Sequence, residues 1–281
     1  MTTTRAGRLS ALTLTASALA FSALAACTGA TQDAPAGPSV PPHVKGPAML
    51  VYTGTGGWRH EEGIAGGNLA LIGIGQEAGL SVLTTEDAAY FQEESLGRFE
   101  LVALNSATGV TLDADQQAAF EAWVEGGGAV LALHGSGDAS HQDWPWYQEA
   151  LIGPVFIGHP MDPQFQTARV QPLTDHPVTD GIDAFDHHEE WYSFDGVPGE
   201  GFLSVAGVAE TGFDPVLREG AAPSGDPADH PVAWVSCPGE GKAVYSALGH
   251  SAEAFERPEH RRLLANAVAW LRARGRAGCP S

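Results

Sequence analysis

The 281-residue chain has little cysteine and few basic residues, and both shortages limit what it can do. It holds three cysteines, no two of them spaced as CxxC, which excludes a thiolate zinc site. Fourteen lysines and arginines stand against 34 aspartates and glutamates, giving a formal net charge of −20. Such a surface repels phosphate backbones and anionic headgroups. We therefore expect no nucleic-acid partner, and neutral substrates or cations are favoured.

The start of the chain lacks a run long and apolar enough for a transmembrane helix. Residues 9–26 are rich in Ala, Ser and Thr and follow Arg5 and Arg8, so residues 1–26 are predicted to be a signal peptide. The stretch ends in Leu24-Ala25-Ala26-Cys27, which resembles the lipobox of bacterial lipoproteins, with Cys27 as the lipidated first residue. The alternative is ordinary secretion with unmodified Cys27. We expect an exported protein, lipid-anchored at the outer face of the cell membrane and attached through the anchor only.

Two further regions follow the predicted signal peptide. Residues 27–47 are mostly Thr, Gly, Pro, Ala and Ser, which predicts a flexible tether because such a segment buries little apolar surface. Residues 48–281 are long enough for one large domain. Within it, Cys237 and Cys279 could form a disulfide in an oxidising compartment, but their spacing does not require it.

Short apolar runs alternate with helical patterns in the first half of this domain. Strands are predicted at residues 48–53, 81–84, 101–104 and 129–133, and helices at 64–78 and 113–125. In the second half, strands at 167–170, 202–209, 232–236 and 243–248 have long irregular connections, and a final helix spans 258–274. This order predicts an α/β fold with a doubly wound parallel sheet and elaborated loops after its strands, where such sheets bind ligands.

Several histidines occur where a predicted strand ends. His134 directly follows residues 129–133, His250 follows the strand at 243–248, and His60 lies in the loop after the first strand. His159 follows a short apolar run, and residues 187–190 read His-His-Glu-Glu. A single histidine at a strand end is more often structural than functional. Several on one parallel sheet would meet at the same crevice.

Imidazole and carboxylate groups together leave two chemistries open. They can transfer protons, or they can hold a divalent metal such as zinc. No HExxH helix and no GxSxG elbow is present, so neither a thermolysin-type metal site nor a serine nucleophile is indicated. His176 and His230 each lie between Asp and Pro, a pattern typical of capped turns, and we interpret them as structural.

Several motifs together resemble the ThuA-like family, named for trehalose utilisation, over about residues 48–272. They are Gly57-Trp-Arg-His60, Leu133-His134 with Asp138, Asp143-Trp-Pro-Trp-Tyr147, Glu190-Trp-Tyr192, Asp229-His-Pro-Val-Ala-Trp234 and Ala247-Leu-Gly-His250. The resemblance implies a flavodoxin-like parallel sheet, similar to that of class I glutamine amidotransferases. It also implies a role in the catabolism of trehalose and related disaccharides through oxidised (keto) sugars.

The sequence departs from the amidotransferases at the nucleophile. Their glutaminase members carry a cysteine where this chain has His134, so attack of a thiolate on glutamine is excluded. The acidic pair that the family places before its tyrosine is here Glu189-Glu190, with Glu where Asp is commoner. Of these two residues we assign Glu190 to the site.

These residues lead to a preferred hypothesis of an enzyme acting on a sugar or keto-sugar derivative. His134 would be the general base or acid, Glu190 its carboxylate partner or a second acid, and Asp138 would orient His134. The substrate would be bound by Trp58, His60, Trp191, Tyr192 and His250, with His60, His134 and His250 as possible metal ligands.

The alternative is a non-catalytic carbohydrate-binding lipoprotein. A flavodoxin-like redox carrier is weaker, because the loop after the first strand lacks the hydroxyl-rich phosphate cradle expected for FMN. The sequence does not identify the substrate, the metal or the oligomeric state.

Overall fold

The computed structural model describes residues 38–141 and 143–280. The predicted signal peptide, Cys27 and the tether up to residue 37 lie outside these residues. In the rest of the predicted tether, Val40 and Val44 pack against an apolar cluster of the domain. The backbone N–H of Lys45 donates to the Ser81 hydroxyl at 3.2 Å.

Within the described residues, nine strands form one sheet, in the order β2-β1-β3-β4-β11-β10-β9-β6-β7. The strands are β1 (Ala48–Tyr52), β2 (Ser81–Thr85), β3 (Leu101–Asn105), β4 (Ala129–Leu133), β6 (Gln166–Pro172), β7 (Phe185–Glu189), β9 (Phe202–Val208), β10 (Pro231–Ser236) and β11 (Lys242–Ser246). A separate antiparallel pair joins β5 (Phe156–Gly158) to β8 (Ser193–Phe194).

The first half of the sheet is parallel and is covered by helices on both faces. Strands β1 to β4 and β11 pair in parallel, and β1, β3, β4 and β11 are buried along their whole length. Buried apolar side chains form two core clusters. Helices α1 (Glu61–Glu77) and α4 (Pro258–Arg272) contribute to the first cluster, and α3 (Ala114–Glu125) contributes to the second. The short helix α2 (Glu93–Leu96) precedes β3. The predicted doubly wound α/β fold is confirmed.

The second half of the sheet is antiparallel. Strand β11 pairs with β10, β10 with β9, β9 with β6 and β6 with β7 in that sense. Strand β7 is absent from the sequence prediction because its residues, Phe-Asp-His-His-Glu, are mostly polar. Alternate positions of β7 are nevertheless buried, so Phe185, His187 and Glu189 point inward.

Two differences from the predicted helix boundaries have local causes. Helix α1 begins at Glu61, three residues earlier than predicted, and its first turn carries Glu61 and Glu62, which suit the positive end of the helix dipole. Helix α4 ends at Arg272 because Ala273 adopts extended backbone angles. None of the helices in the described part of the chain has the length and apolar character needed to cross a bilayer.

The two cysteines of the domain are joined. Cys237, just after β10, forms a disulfide with Cys279 near the C-terminus, with a Cα–Cα distance of 5.8 Å. The disulfide closes a span of 42 residues that includes β11 and α4. The pairing that the sequence left open is therefore present in the structure.

Candidate metal centre

Four predicted site residues converge at the carboxyl edge of the parallel strands. His60, His134, Glu190 and His250 each offer one nitrogen or oxygen atom, and these four atoms lie within 4.8 Å of one another. The three histidines follow β1, β4 and β11, all in the parallel half of the sheet. Parallel strands end at a common edge, so loops after neighbouring strands deliver their side chains to one place.

His134 is fixed by its neighbours and is completely buried. Its Nδ1 lies 2.8 Å from the carbonyl oxygen of Ala247, which can only accept, so Nδ1 carries the proton. The other ring nitrogen, Nε2, faces His250 Nδ1 at 3.2 Å and Glu190 Oε2 at 3.4 Å. The backbone φ of His134 is +44°, a conformation that costs a non-glycine residue energy and is common at functional sites.

Glu190 places its two oxygens on different sides. Oε2 lies 2.7 Å from His250 Nδ1, on the side of the cluster. Oε1 accepts a hydrogen bond from the Gln164 amide at 2.5 Å and lies 3.2 Å from His159 Nδ1. Burial alone would raise the pKa of Glu190, but the adjacent imidazoles of His134 and His250 and the hydrogen bond from Gln164 outweigh it and hold that pKa well below its usual value. The carboxylate is therefore ionised.

His60 completes the cluster from the first residue before α1. Its Nε2 lies 3.3 Å from the Tyr192 hydroxyl, and no described group offers Nδ1 a hydrogen bond. Burial, together with the nearby His134 and His250, lowers the pKa of His60 to about 3, so its ring is neutral. Gly135 allows the His60 ring to approach, because a Cβ there would lie 2.8 Å from His60 Cε1.

The cluster forms one wall of an open cavity of about 480 Å³. The cavity is lined by Trp58, His60, His159, Met161, Gln164, Phe165, Glu190 and His250. Trp58 and Met161 expose 74% and 71% of their surface at its rim. His134 is absent from this lining, so it contacts the other cluster residues and not the cavity. A solvent-accessible site with a polar wall and an apolar rim results.

A second cavity, of about 540 Å³, lies between β8 and residues 210–231. It is lined by His230 and Glu210, whose Nδ1 and Oε1 atoms lie at hydrogen-bond distance, 3.0 Å. His230 Nε2 also contacts the Tyr192 backbone carbonyl at 3.0 Å. His176 caps the turn that begins at Pro177 through Val178 N–H. His176 thus caps a turn as the sequence predicts, whereas His230 contacts Glu210 and the Tyr192 backbone instead.

Two predicted site residues lie elsewhere. Trp191 is 1% exposed in a core cluster and donates to the Gln166 carbonyl, so its side chain does not line the cavity and its predicted role in binding substrate is wrong. Asp138 accepts from the backbone N–H and the hydroxyl of Ser140, and none of its described hydrogen bonds reaches His134. The orienting role predicted for Asp138 is therefore filled by the Ala247 carbonyl. Trp58, His60, Tyr192 and His250 do lie in or against the site.

Sequence reasoning assigned no role to the two polar residues His159 and Gln164 of the cavity wall, nor to the apolar Met161 and Phe165. His159 follows β5 directly, the same strand-end signal that indicated the other histidines, so it could have been found. Gln164 gives no such signal, because a glutamine in an irregular loop has no pattern that distinguishes it.

Comparisons with known proteins agree with this architecture. A ThuA-like protein from Bacteroides uniformis is 22% identical, and the match covers 88% of this chain and 99% of that chain with a TM-score of 0.67. A ThuA-like protein from Parabacteroides merdae is 17% identical, with coverage of 81% and 91% and a TM-score of 0.62. A Salmonella typhimurium protein described as cytoplasmic is 11% identical, with coverage of 80% and 100% and a TM-score of 0.55.

The likeness to these solved structures establishes the fold alone. No curated protein matches the chain. The family is established by a sequence model described as "ThuA: Trehalose utilisation", which matches residues 48–271. That span includes His60, His134, Glu190 and His250. The chain belongs to the ThuA family.

Proposed function

We propose that this protein is a cell-surface enzyme of disaccharide or keto-sugar catabolism, whose His/Glu site holds a divalent cation. The proposal rests on one observation: four ligand atoms from His60, His134, Glu190 and His250 lie within 4.8 Å of one another beside an open cavity. Family membership adds the sugar-related context.

The donor set suits a divalent cation. Neutral imidazole nitrogens and a carboxylate oxygen are ligands that zinc and similar ions accept. His60 is neutral with an unpartnered nitrogen, Glu190 is ionised, and the Ala247 carbonyl holds the His134 proton on the far nitrogen. Ligating histidines in proteins are commonly fixed in this way by a carbonyl on their other nitrogen.

A cation held there would supply Lewis acidity, polarising a carbonyl or hydroxyl oxygen of the substrate. His134 does not line the cavity, which favours a ligand role for it over direct proton transfer to substrate. Besides the proposed ligands His60 and His250, the cavity is lined by His159, Gln164 and Glu190, which can hydrogen-bond a sugar hydroxyl. Trp58 at the rim offers an exposed indole face on which a sugar ring can stack.

The test is turnover of a panel of disaccharides and their keto derivatives, followed by NMR or mass spectrometry with and without Zn²⁺, Mn²⁺ or a chelator. We expect conversion that chelation abolishes and that His60→Ala and His250→Ala lose. The exposed His188 on β7 is the matched control, and His188→Ala should retain activity. Cation-independent conversion would refute the metal-assisted mechanism.

The same exposed Trp58 and Met161 also suit a carbohydrate-binding lipoprotein without turnover. The panel separates the two functions, because binding alone leaves every sugar unchanged. A sugar that perturbs Trp58 fluorescence but is never converted, with any of these cations, would favour the binding protein.

The cell-surface part of the proposal depends on Leu24-Ala25-Ala26-Cys27. The disulfide Cys237–Cys279 supports an oxidising compartment, since such bonds are rare in the reducing cytosol. Mass spectrometry of the mature N-terminus should find a diacylated Cys27, and Cys27→Ala should release the protein from membranes. An unprocessed chain starting at Met1 would refute export.

A further inference from the structure

A second buried carboxylate, that of Glu189, lies beside the cluster. Glu189, the last residue of β7, is completely buried, next to the proposed ligand Glu190. A buried carboxylate is costly unless it is paired or hydrogen-bonded. Its contacts therefore indicate what it does.

The Glu189 carboxylate receives hydrogen bonds from three backbone N–H groups. Oε1 accepts from Glu190 at 3.0 Å and from His250 at 3.2 Å, and Oε2 accepts from Gly249 at 2.7 Å. His187 Nε2 lies 3.4 Å from Oε2, but it is not aligned for a hydrogen bond. Two of the three donors are the amides of proposed ligands, and the third directly precedes one.

These bonds connect parts of the sheet that are not neighbours. His250 follows β11, whereas Glu190 follows β7, and three strands separate β7 from β11 in the sheet. No β-ladder therefore sets the position of His250 relative to Glu190. The carboxylate of Glu189 contacts both backbones directly.

The other side of the same segment is packed against α1. A Cβ on Gly63 would lie 2.4 Å from the carbonyl oxygen of Gly249 and 2.6 Å from that of His250. The backbone at 249–250 is thus held between the helix that follows His60 and the carboxylate that precedes Glu190. The Ala247 carbonyl, two residues earlier, holds His134.

We infer that Glu189 is a positioning residue for the cluster, fixing the backbones of His250 and Glu190 so that their side chains meet His60 and His134. This inference rests on the proposed metal site but is testable without it. Residues that orient ligands typically change metal affinity 10- to 100-fold when they are substituted.

The first experiment compares Glu189→Gln with the unaltered protein by titration with Co²⁺, followed by its visible absorption. The carboxamide keeps the shape but has one accepting oxygen, and its NH₂ group faces a backbone donor. We expect Glu189→Gln to bind Co²⁺ about 10- to 100-fold more weakly, with a changed absorption spectrum. Glu189→Asp keeps the charge and should recover part of the affinity. His188→Ala should bind as the unaltered protein does.

The second experiment uses metal-free protein and NMR. In the unaltered chain, the amides of Gly249 and His250 should exchange slowly although they lie outside helices and strands. In Glu189→Gln their proton resonances should shift upfield, and the imidazole ¹⁵N shifts of His250 should change.

These results separate the two proposals. If the unaltered protein binds no cation, the proposed function fails, and the NMR comparison still decides the role of Glu189. Unchanged Co²⁺ affinity with unmoved amides in Glu189→Gln would overturn the inference. If Glu189→Gln does not fold, rapid exchange of the Gly249 and His250 amides in the unaltered protein would overturn it equally.

Discussion

The Nδ1 atom of His134 lies 2.8 Å from the carbonyl oxygen of Ala247, at the edge where β4 and β11 run in parallel. This hydrogen bond fixes the tautomer of a buried histidine and turns its free Nε2 toward Glu190 and His250. A backbone carbonyl cannot be removed by substitution, so the consequences of this geometry are best tested at His134 itself.

Substitutions of His134 should separate the effect of backbone strain on stability from the effect of the imidazole on cation binding. Its φ of +44° suits glycine far better than alanine, so His134→Gly should be more stable than His134→Ala by about 1 kcal/mol. Both variants should lose cation binding alike, because both remove the imidazole. Urea unfolding measures the first effect and metal analysis the second. Equal stability of the two variants would contradict the strain at this position.

Two tryptophans should respond in opposite ways. Trp191 is buried, so Trp191→Ala should lower the free energy of unfolding by about 3–5 kcal/mol. Trp58 is 74% exposed at the cavity rim, so Trp58→Ala should change stability by less than about 0.5 kcal/mol while weakening sugar binding. Denaturant titration and sugar titration measure the two effects. Normal sugar binding by Trp58→Ala would exclude Trp58 from the site.

Removing the disulfide should destabilise the domain without altering the site. Replacing Cys237 and Cys279 together by Ser frees a 42-residue span, which should cost about 2–4 kcal/mol of unfolding free energy. Dithiothreitol should produce a similar loss in the unaltered protein and none in the double variant. A reductant effect of equal size in both proteins would show that the disulfide is not its cause.

His260 should make stability depend on pH in the acidic range. Burial lowers its pKa to about 4 in the folded state, below the value of 6.5 for a free histidine. Between these values the unfolded chain binds more protons, so stability is complete above about pH 6.5 and falls as the pH approaches 4.

The slope due to this one group approaches about 1.4 kcal/mol per pH unit. The Nδ1 atom of His260 lies 2.8 Å from the Ala254 carbonyl oxygen, and His260→Asn keeps a hydrogen-bond donor to that oxygen. Denaturant titrations between pH 4 and 7 should show a shallower loss in this variant. If the unfolding free energy falls with pH equally steeply in the unaltered protein and in His260→Asn, the pH dependence does not come from His260.

Much of the fold follows from local sequence signals. Strands β1, β3 and β4 are short apolar runs bounded by polar or glycine-rich turns, and α3 begins with Asp113 as its cap. Strand β7 gives no such signal, because its buried positions include the polar residues His187 and Glu189, and two of the hydrogen bonds to the Glu189 carboxylate come from the distant amides of Gly249 and His250.

The site could be predicted in part for the same reason. The rule that parallel strands share a carboxyl edge brings together His60, His134 and His250, which follow β1, β4 and β11. It does not predict Glu190, because β7 lies in the antiparallel half; family resemblance indicated that residue. Trp191 shows the limit of resemblance, since a motif gives the order of residues but not which side chain points into the core.

The metal content of the purified protein tests the central claim most directly. Equilibrium dialysis against Zn²⁺ followed by elemental analysis should give one ion per chain, retained by His188→Ala and lost in His60→Ala, His250→Ala and Glu190→Gln. Equal zinc content in all five proteins, or none in the unaltered one, would contradict a cation site formed by His60, His134, Glu190 and His250.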